Sequence, residues 1–220
     1  MKPEEIADLM LKLQNETKCH NINFVTPEHV VPQVIESIAL AVEGGLHVPI
    51  VYNTSSYDSI RSLELLDGLV DIYMPDFKFW SPDTSARLCK ARNYPEVTRS
   101  VISEMYRQVG DLVFDQNGLA KCGVLVRHLV MPGYIHEAKE IISWLYSVSP
   151  DMYVNIMEQY RPTHKVGVGE QRARDGFTKY EDIDRFVEMS EVDEVRKYAK
   201  DIGLWRLEEM ELLSKPFTEM

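Results

Sequence analysis

The chain has 220 residues, 45% of them hydrophobic and 27% charged, with a formal net charge of −11 at pH 7. That length suits one large domain with a sizeable core. The acidic balance, with no cluster of Lys and Arg, argues against a phosphate-backbone binder, so no nucleic-acid partner is expected.

No apolar run is long enough to span a bilayer. The opening "MKPEEIADLM" carries acids where a secretory leader would carry basic and apolar residues. Cys19, Cys89 and Cys122 are too scattered for a disulfide framework. A cytoplasmic address with no membrane partner is the expectation.

In chain order, Ile6, Leu9, Met10 and Leu13 at helical spacing predict a helix over 3–17, followed by a strand in "NINFVTP" (21–27). Helical spacing returns over 30–43 and stops at "EGG" (43–45). "VPIVYNT" (48–54) reads as a second strand, 59–67 as a short helix and 70–79 as a third strand. Residues 83–109 read as two helical pieces broken at Tyr94-Pro95, because a proline disfavours helix just before it. "CGVLVRHLVMPG" (122–133) is a fourth strand, 136–148 a helix, "MYVNIMEQYRP" (152–162) a fifth strand, and 178–210 a charged helical tail. Apolar strands alternating with helices predict a parallel sheet covered by helices, in a single α/β fold. "GVGEQRARDG" (167–176) follows no strand–helix phosphate-loop pattern and reads as an exposed, mobile segment.

The polar residues fall at the strands' C-terminal ends: Thr26 and Glu28; Asn53, Thr54 and Ser55; Asp76 and Lys78; Arg127 and His128; Gln159, Tyr160 and Arg161. In parallel α/β folds that edge is where ligands bind. A single strand end can turn polar simply by meeting water, but five such clusters on one edge read as a site. In "DIYMPDFKFW" (71–80), Asp76 and Lys78 are two apart, so strand alternation sends both to the same side. His128 suits general acid–base work or a hydrogen-bonded scaffold role equally well.

The blocks "CHNINFVTPEHVVPQVIESI", "VPIVYNTSSYDS", "LLDGLVDIYMPDFKFW", "YRQVGDL", "VRHLVMPG" and "YVNIMEQYRP" resemble the pyruvate formate-lyase activating enzyme-like branch of the radical SAM superfamily. The resemblance runs over about residues 4–165. It implies an α/β fold built as an incomplete, TIM-barrel-like parallel (β/α) barrel over 1–165 that lacks its first strand, with a C-terminal helical extension over 166–220. It also implies S-adenosylmethionine as cofactor beside a [4Fe–4S] cluster, with formation of a 5′-deoxyadenosyl radical. The hydrogen donor would be a glycyl-radical-type protein partner or a small molecule. Residue by residue, it assigns cofactor binding to Thr26, Glu28, Asn53, Thr54, Asp76, Lys78, Arg127, His128 and Tyr160. An acid and a base on one face suit a ligand that carries both an ammonium and a carboxylate.

Two departures qualify that assignment. The family's glycines are absent at Thr26-Pro27-Glu28, and the family's Cys-x-x-x-Cys-x-x-Cys loop is absent from this chain, so no metal ligand and no catalytic residue are assigned. Two readings follow: the larger part of a radical SAM enzyme without its N-terminal cluster loop, or a cluster-less binding or scaffolding barrel. The strand over 21–26 is expected at an open edge, where unpaired backbone groups invite self-association.

Overall fold

The computed structural model describes residues 1–163, 166 and 180–208. The chain divides into two compact units, Met1–Arg127 and His128–Met220.

In the first unit, helix α1 (Pro3–Asn15) begins with Pro3 in its first turn and Glu4 and Glu5 against the positive end of the helix dipole. The backbone N–H of Lys2 donates to the Glu5 carboxylate at 2.8 Å, which closes the cap. Ala7, Met10 and Gln14 form its buried stripe, and it packs against α2 (Val31–Glu43). Gln14 does more than fill space. Its Nε2 donates to the Gly45 carbonyl at 3.1 Å, and its Oε1 accepts from the N–H groups of His47 and Val48 at 2.8 and 3.2 Å. One side chain thereby satisfies the loop that leads into the second strand.

Strands β1 (Ile22–Val25), β2 (Ile50–Thr54) and β3 (Ile72–Pro75) pair in parallel, with Ile22 opposite Ile50 and Val51 opposite Ile72. A short β4 (Val113–Phe114) precedes the long β5 (Ala120–Leu129), and the order is β1-β2-β3-β5-β4. Strand β5 pairs parallel with β3, whereas β4 pairs antiparallel with β5. The sheet is therefore mostly parallel rather than wholly so, which corrects the expected all-parallel arrangement. The cause is a local turn. Asp115 Oδ1 accepts from the N–H groups of Asn117 and Leu119 at 2.8 and 3.0 Å, and Gly118 supplies a φ of +77°. Strand β5 consequently starts before the expected fourth strand, and Arg127 and His128 lie inside it rather than at its end.

Gly123 has φ +113°, and a Cβ there would come within 2.3 Å of the Asp111 carbonyl oxygen and 2.4 Å of Leu112 Cα. Only glycine lets the segment entering β4 cross β5 so closely.

The sheet is open. Among the described residues β1 pairs with β2 alone, and Val25 on it is 66% exposed. An incomplete barrel was the expectation; the described strands form an open, mostly parallel sheet.

Helices α3 (Ile60–Leu66), α4 (Pro82–Cys89) and α5 (Tyr94–Val109) complete this unit. The break between α4 and α5 is not at Tyr94-Pro95 as the proline suggested. It falls at Lys90, which is left-handed with φ 63°, and Pro95 sits in the first turn of α5, where its missing N–H is no loss.

The second unit holds β6 (Tyr153–Met157), α6 (Ile135–Val148), a 3-10 turn (Glu181–Ile183) and α7 (Met189–Asp201). Val130 N–H donates to the Met157 carbonyl at 3.0 Å. Val154 also bridges Leu207 in parallel. Helices α6 and α7 pack together, joined by Lys139–Glu194 at 2.6 Å and Ser143–Tyr198 at 2.8 Å. Instead of a helical run over 178–210, the described part of the tail is one turn of 3-10 helix and one α-helix. The stretch 167–176, read above as a mobile segment, lies outside the described residues. No helix among them is long and apolar enough to cross a membrane.

Candidate functional site

The register decides which side chains meet. Phe24, Tyr52 and Tyr73 are opposed across β1, β2 and β3, and so are Val25, Asn53 and Met74. The two sets alternate and therefore face opposite sides. The tyrosine side is the buried one: Tyr73 donates to Gln108 on α5 at 2.6 Å, and Tyr52 meets Tyr73 edge-on at 5.8 Å. The Asn53 side is half-buried and carries the charges.

On that side Arg127 and Asp76 are bridged in parallel, one residue beyond the end of β3. Arg127 Nε donates to Asp76 Oδ1 at 2.8 Å, and its Nη2 reaches the same oxygen at 2.7 Å. Nη2 also donates to Asn53 Oδ1 at 2.8 Å. The other carboxylate oxygen, Asp76 Oδ2, accepts from Lys78 Nζ at 2.5 Å. The same-side expectation for residues 76 and 78 thus becomes a direct ion pair. These four groups carry two cations against one anion, and the surplus positive charge suits the anionic end of a ligand. The Lys78 side chain is 40% exposed and Asp76 15%, so the ammonium is the more accessible of the two.

A second network lies behind this one. Tyr52 donates to Asp58 Oδ1 at 2.9 Å and stands 3.3 Å from Glu28 Oε2, while Thr54 Oγ1 donates to Asp58 Oδ2 at 2.6 Å. Glu28 Oε1 accepts from Ser59 N–H, at the start of α3, and from Ser62 Oγ, each at 3.0 Å. Glu28 therefore ties the β1 turn to the N-terminus of α3, a favourable place for an anion. Asp58 is buried with no cation among these partners. Burial raises its carboxyl above the usual range, and Glu28 adds to the effect. Burial likewise pushes the Tyr52 phenol up. One phenolic proton cannot serve both carboxylates, so the network favours retaining a proton on Asp58.

The nine sequence candidates thus separate. Asn53, Asp76, Lys78 and Arg127 come together. Thr54 and Glu28 join through Tyr52 and Asp58. Thr26 donates its N–H to the Asn53 carbonyl at 2.7 Å, and its φ of 52° is a left-handed conformation rare for a β-branched residue. In the second unit, His128 is buried, and Tyr160 donates its hydroxyl to the Ile183 carbonyl at 2.9 Å.

Two site residues escaped the sequence reading. Asp58 sits in the polar run "SSYDS", where nothing distinguishes it from a solvated loop acid. Tyr94 drew notice only as the residue before a proline. Its buried hydroxyl accepts from Lys78 N–H at 3.1 Å and lies 2.9 and 3.0 Å from the carbonyls of Asp76 and Ser55.

The cysteines do not fit an iron–sulfur cluster. Cys19 precedes β1, Cys122 lies within β5 opposite Val113, and Cys89 ends α4 with its thiol on the Ser85 carbonyl at 3.1 Å. Among the described residues no group of three or more His, Cys, Asp or Glu is placed to hold a metal ion. The Asp76–Lys78–Arg127–Asn53 group, by contrast, has the charges to meet a ligand that carries both an ammonium and a carboxylate.

No protein-family model matches the chain. It is 28% identical over 203 residues to a protein of Methanocaldococcus jannaschii described as uncharacterized, an alignment covering 92% of this chain and 52% of that protein. The chain thus spans about half the length of the curated relative it matches. Among solved structures it is similar to a domain of pyruvate-formate lyase-activating enzyme from Bacteroides vulgatus, with a TM-score of 0.55 and 11% identity over 86% of this chain and 96% of that domain. At that identity the likeness is one of fold: the chain shares the α/β architecture of a pyruvate-formate lyase-activating enzyme domain.

Proposed function

We propose that residues 1–165 are the S-adenosylmethionine-binding sheet of a radical SAM-type protein, an incomplete barrel of that kind, with 166–220 as its extension. The observation that carries this reading is the convergence of Asn53, Asp76, Lys78 and Arg127 at the C-terminal end of parallel strands, in a fold shared with an activating-enzyme domain. Lys78 and Arg127 would meet the cofactor's carboxylate, and the Asn53 and Asp76 oxygens its ammonium. Thr26, held left-handed beside Asn53, would present its backbone to the same end. Glu28 and Thr54 act one layer back, through Tyr52 and Asp58. In a protein that holds a reduced [4Fe–4S] cluster, one electron given to S-adenosylmethionine would break its sulfur–C5′ bond, release methionine and leave a 5′-deoxyadenosyl radical able to take hydrogen from a protein or small-molecule substrate. This chain's described cysteines do not form such a cluster site, so the proposal for these residues stops at binding.

The separation of the cysteines favours a second reading beside the first, a cluster-less binding barrel. Equilibrium dialysis with labelled S-adenosylmethionine tests what both share: the wild-type chain should bind and Asp76→Ala should not. No binding by the wild type would overturn both. Anaerobic reconstitution with iron and sulfide, followed by reductant, then separates them. Formation of 5′-deoxyadenosine by this polypeptide would show that it assembles a cluster after all.

A further inference from the structure

We propose that Tyr94 is the positioning residue of this site: its hydroxyl sets where the Asp76 carboxylate and the Lys78 ammonium stand, although it faces no ligand itself. The inference rests on the S-adenosylmethionine reading for its consequence in binding, and on the geometry of the chain for its cause.

Strand β3 ends at Pro75, and beyond it the backbone changes partner at each residue. Asp76 N–H donates to the Thr54 carbonyl and Phe77 N–H to the Arg127 carbonyl, each at 2.9 Å. Lys78 N–H has passed the end of the ladder, and its acceptor is Tyr94 Oη at 3.1 Å. The phenolic proton is shared between the carbonyls of Asp76 at 2.9 Å and Ser55 at 3.0 Å. A single oxygen therefore holds the backbone on both sides of Phe77 and ties it to the end of β2. Two of these three bonds are made at Asp76 and Lys78, the residues whose side chains form the ion pair.

The oxygen is itself well placed to stay put. Tyr94 lies in the first turn of α5 and is 3% exposed. Its ring meets Phe79 edge-on and stacks on Tyr57, with centroids 6.1 Å away in each case. Tyr57 in turn donates to Asn93 Oδ1 at 2.7 Å, at the residue just before Tyr94. One turn further along α5, Thr98 donates to the Ser56 carbonyl at 3.2 Å, so i and i+4 of one helix face grip consecutive residues after β2. Burial raises the Tyr94 phenol, so the proton that bridges the carbonyls is retained.

The test compares wild type, Tyr94→Phe and Tyr73→Phe. Phenylalanine keeps the ring packing and removes only the oxygen. At residue 73 it removes another tie between β3 and α5, the 2.6 Å bond to Gln108, and leaves Tyr94 and residues 76–78 in place. Each protein is titrated with S-adenosylmethionine and with its carboxamide analogue, which lacks the anionic group. Tyr94→Phe should bind S-adenosylmethionine ~10-fold more weakly and lose the preference for carboxylate over amide, while Tyr73→Phe keeps both properties. Equal weakening of the two ligands, or the same loss in Tyr73→Phe, would reduce Tyr94 to a packing role and overturn the inference. Hydrogen exchange at the Lys78 amide, measured without ligand, judges the cause separately. It should quicken at least ~10-fold in Tyr94→Phe alone, and an unchanged rate would refute the positioning role. If the wild type bound no S-adenosylmethionine, the functional reading would fall, while the exchange result would still decide whether Tyr94 holds Asp76 and Lys78.

Discussion

Removing the Asp76 carboxylate should both destabilise the first unit and disable the site, and the two ion pairs it makes should contribute unequally. The Arg127 and Asp76 side chains are 25% and 15% exposed, whereas Lys78 is 40% exposed. Solvent-exposed pairs contribute ~0–1 kcal/mol, and breaking a buried pair by deleting one partner costs ~3–5 kcal/mol. The Arg127 pair lies between these limits and has two donors on one oxygen, so its coupling should be ~2 kcal/mol. The Lys78 coupling, with the more exposed cation, should stay below ~1 kcal/mol. Asp76→Ala also leaves two cations facing each other, for a total loss of ~2–3 kcal/mol. Urea denaturation of the single and double alanine variants at Asp76, Arg127 and Lys78 gives both coupling energies. Repeating the cycles at ~1 M salt should shrink the Lys78 coupling more than the Arg127 coupling. An Asp76–Arg127 coupling below ~0.5 kcal/mol, or a Lys78 coupling larger than it, would refute the reasoning that burial ranks these contacts.

Other expectations concern the surrounding structure. Because burial raises Asp58 in the folded state, its stability contribution is full below the unfolded carboxylate range and is lost as pH rises through the folded value. The neutral Asp58→Asn variant should therefore gain on the wild type between acid and neutral pH, and parallel Tm–pH curves would contradict this. Glu191 behaves oppositely: hydrogen bonds from Arg185 lower it to about 2, so its contribution is present above the unfolded value and lost as pH falls. Glu191→Gln should be less stable than wild type at neutral pH, with the gap closing in acid; a constant gap would rule out the ion pair as its source. Gly123→Ala, meeting backbone atoms at 2.3 Å, should cost ~3 kcal/mol or more. Gly118→Ala, at φ +77° with open space around it, should cost only ~1 kcal/mol, and equal costs would show that the close approach at Gly123 is not limiting. Finally, Val25→Lys on the exposed edge strand should lower self-association in sedimentation experiments, and identical profiles would locate any association elsewhere.

Much of the sheet was legible from the sequence because hydrophobic period and turn residues are local properties. The runs at 21–27, 48–54 and 70–79 each contain an observed strand, and alternation alone put Asp76 and Lys78 on one side. The antiparallel β4 was not legible, since two exposed residues carry no periodic signal and the hairpin depends on the Asp115 turn. Nor was the helix break at Lys90, where a non-glycine residue takes the left-handed conformation. The site shows the same division. Residue types at strand ends determined that acids and bases would gather at one edge. Only the register decided that Arg127 would bridge Asp76 and Asn53, that Thr54 would turn inward to Asp58, and that a tyrosine 16 residues along the chain would close the end of β3. Those contacts join residues distant in sequence. Their distances are set by strand pairing and helix docking, which hydrophobic period constrains but does not specify.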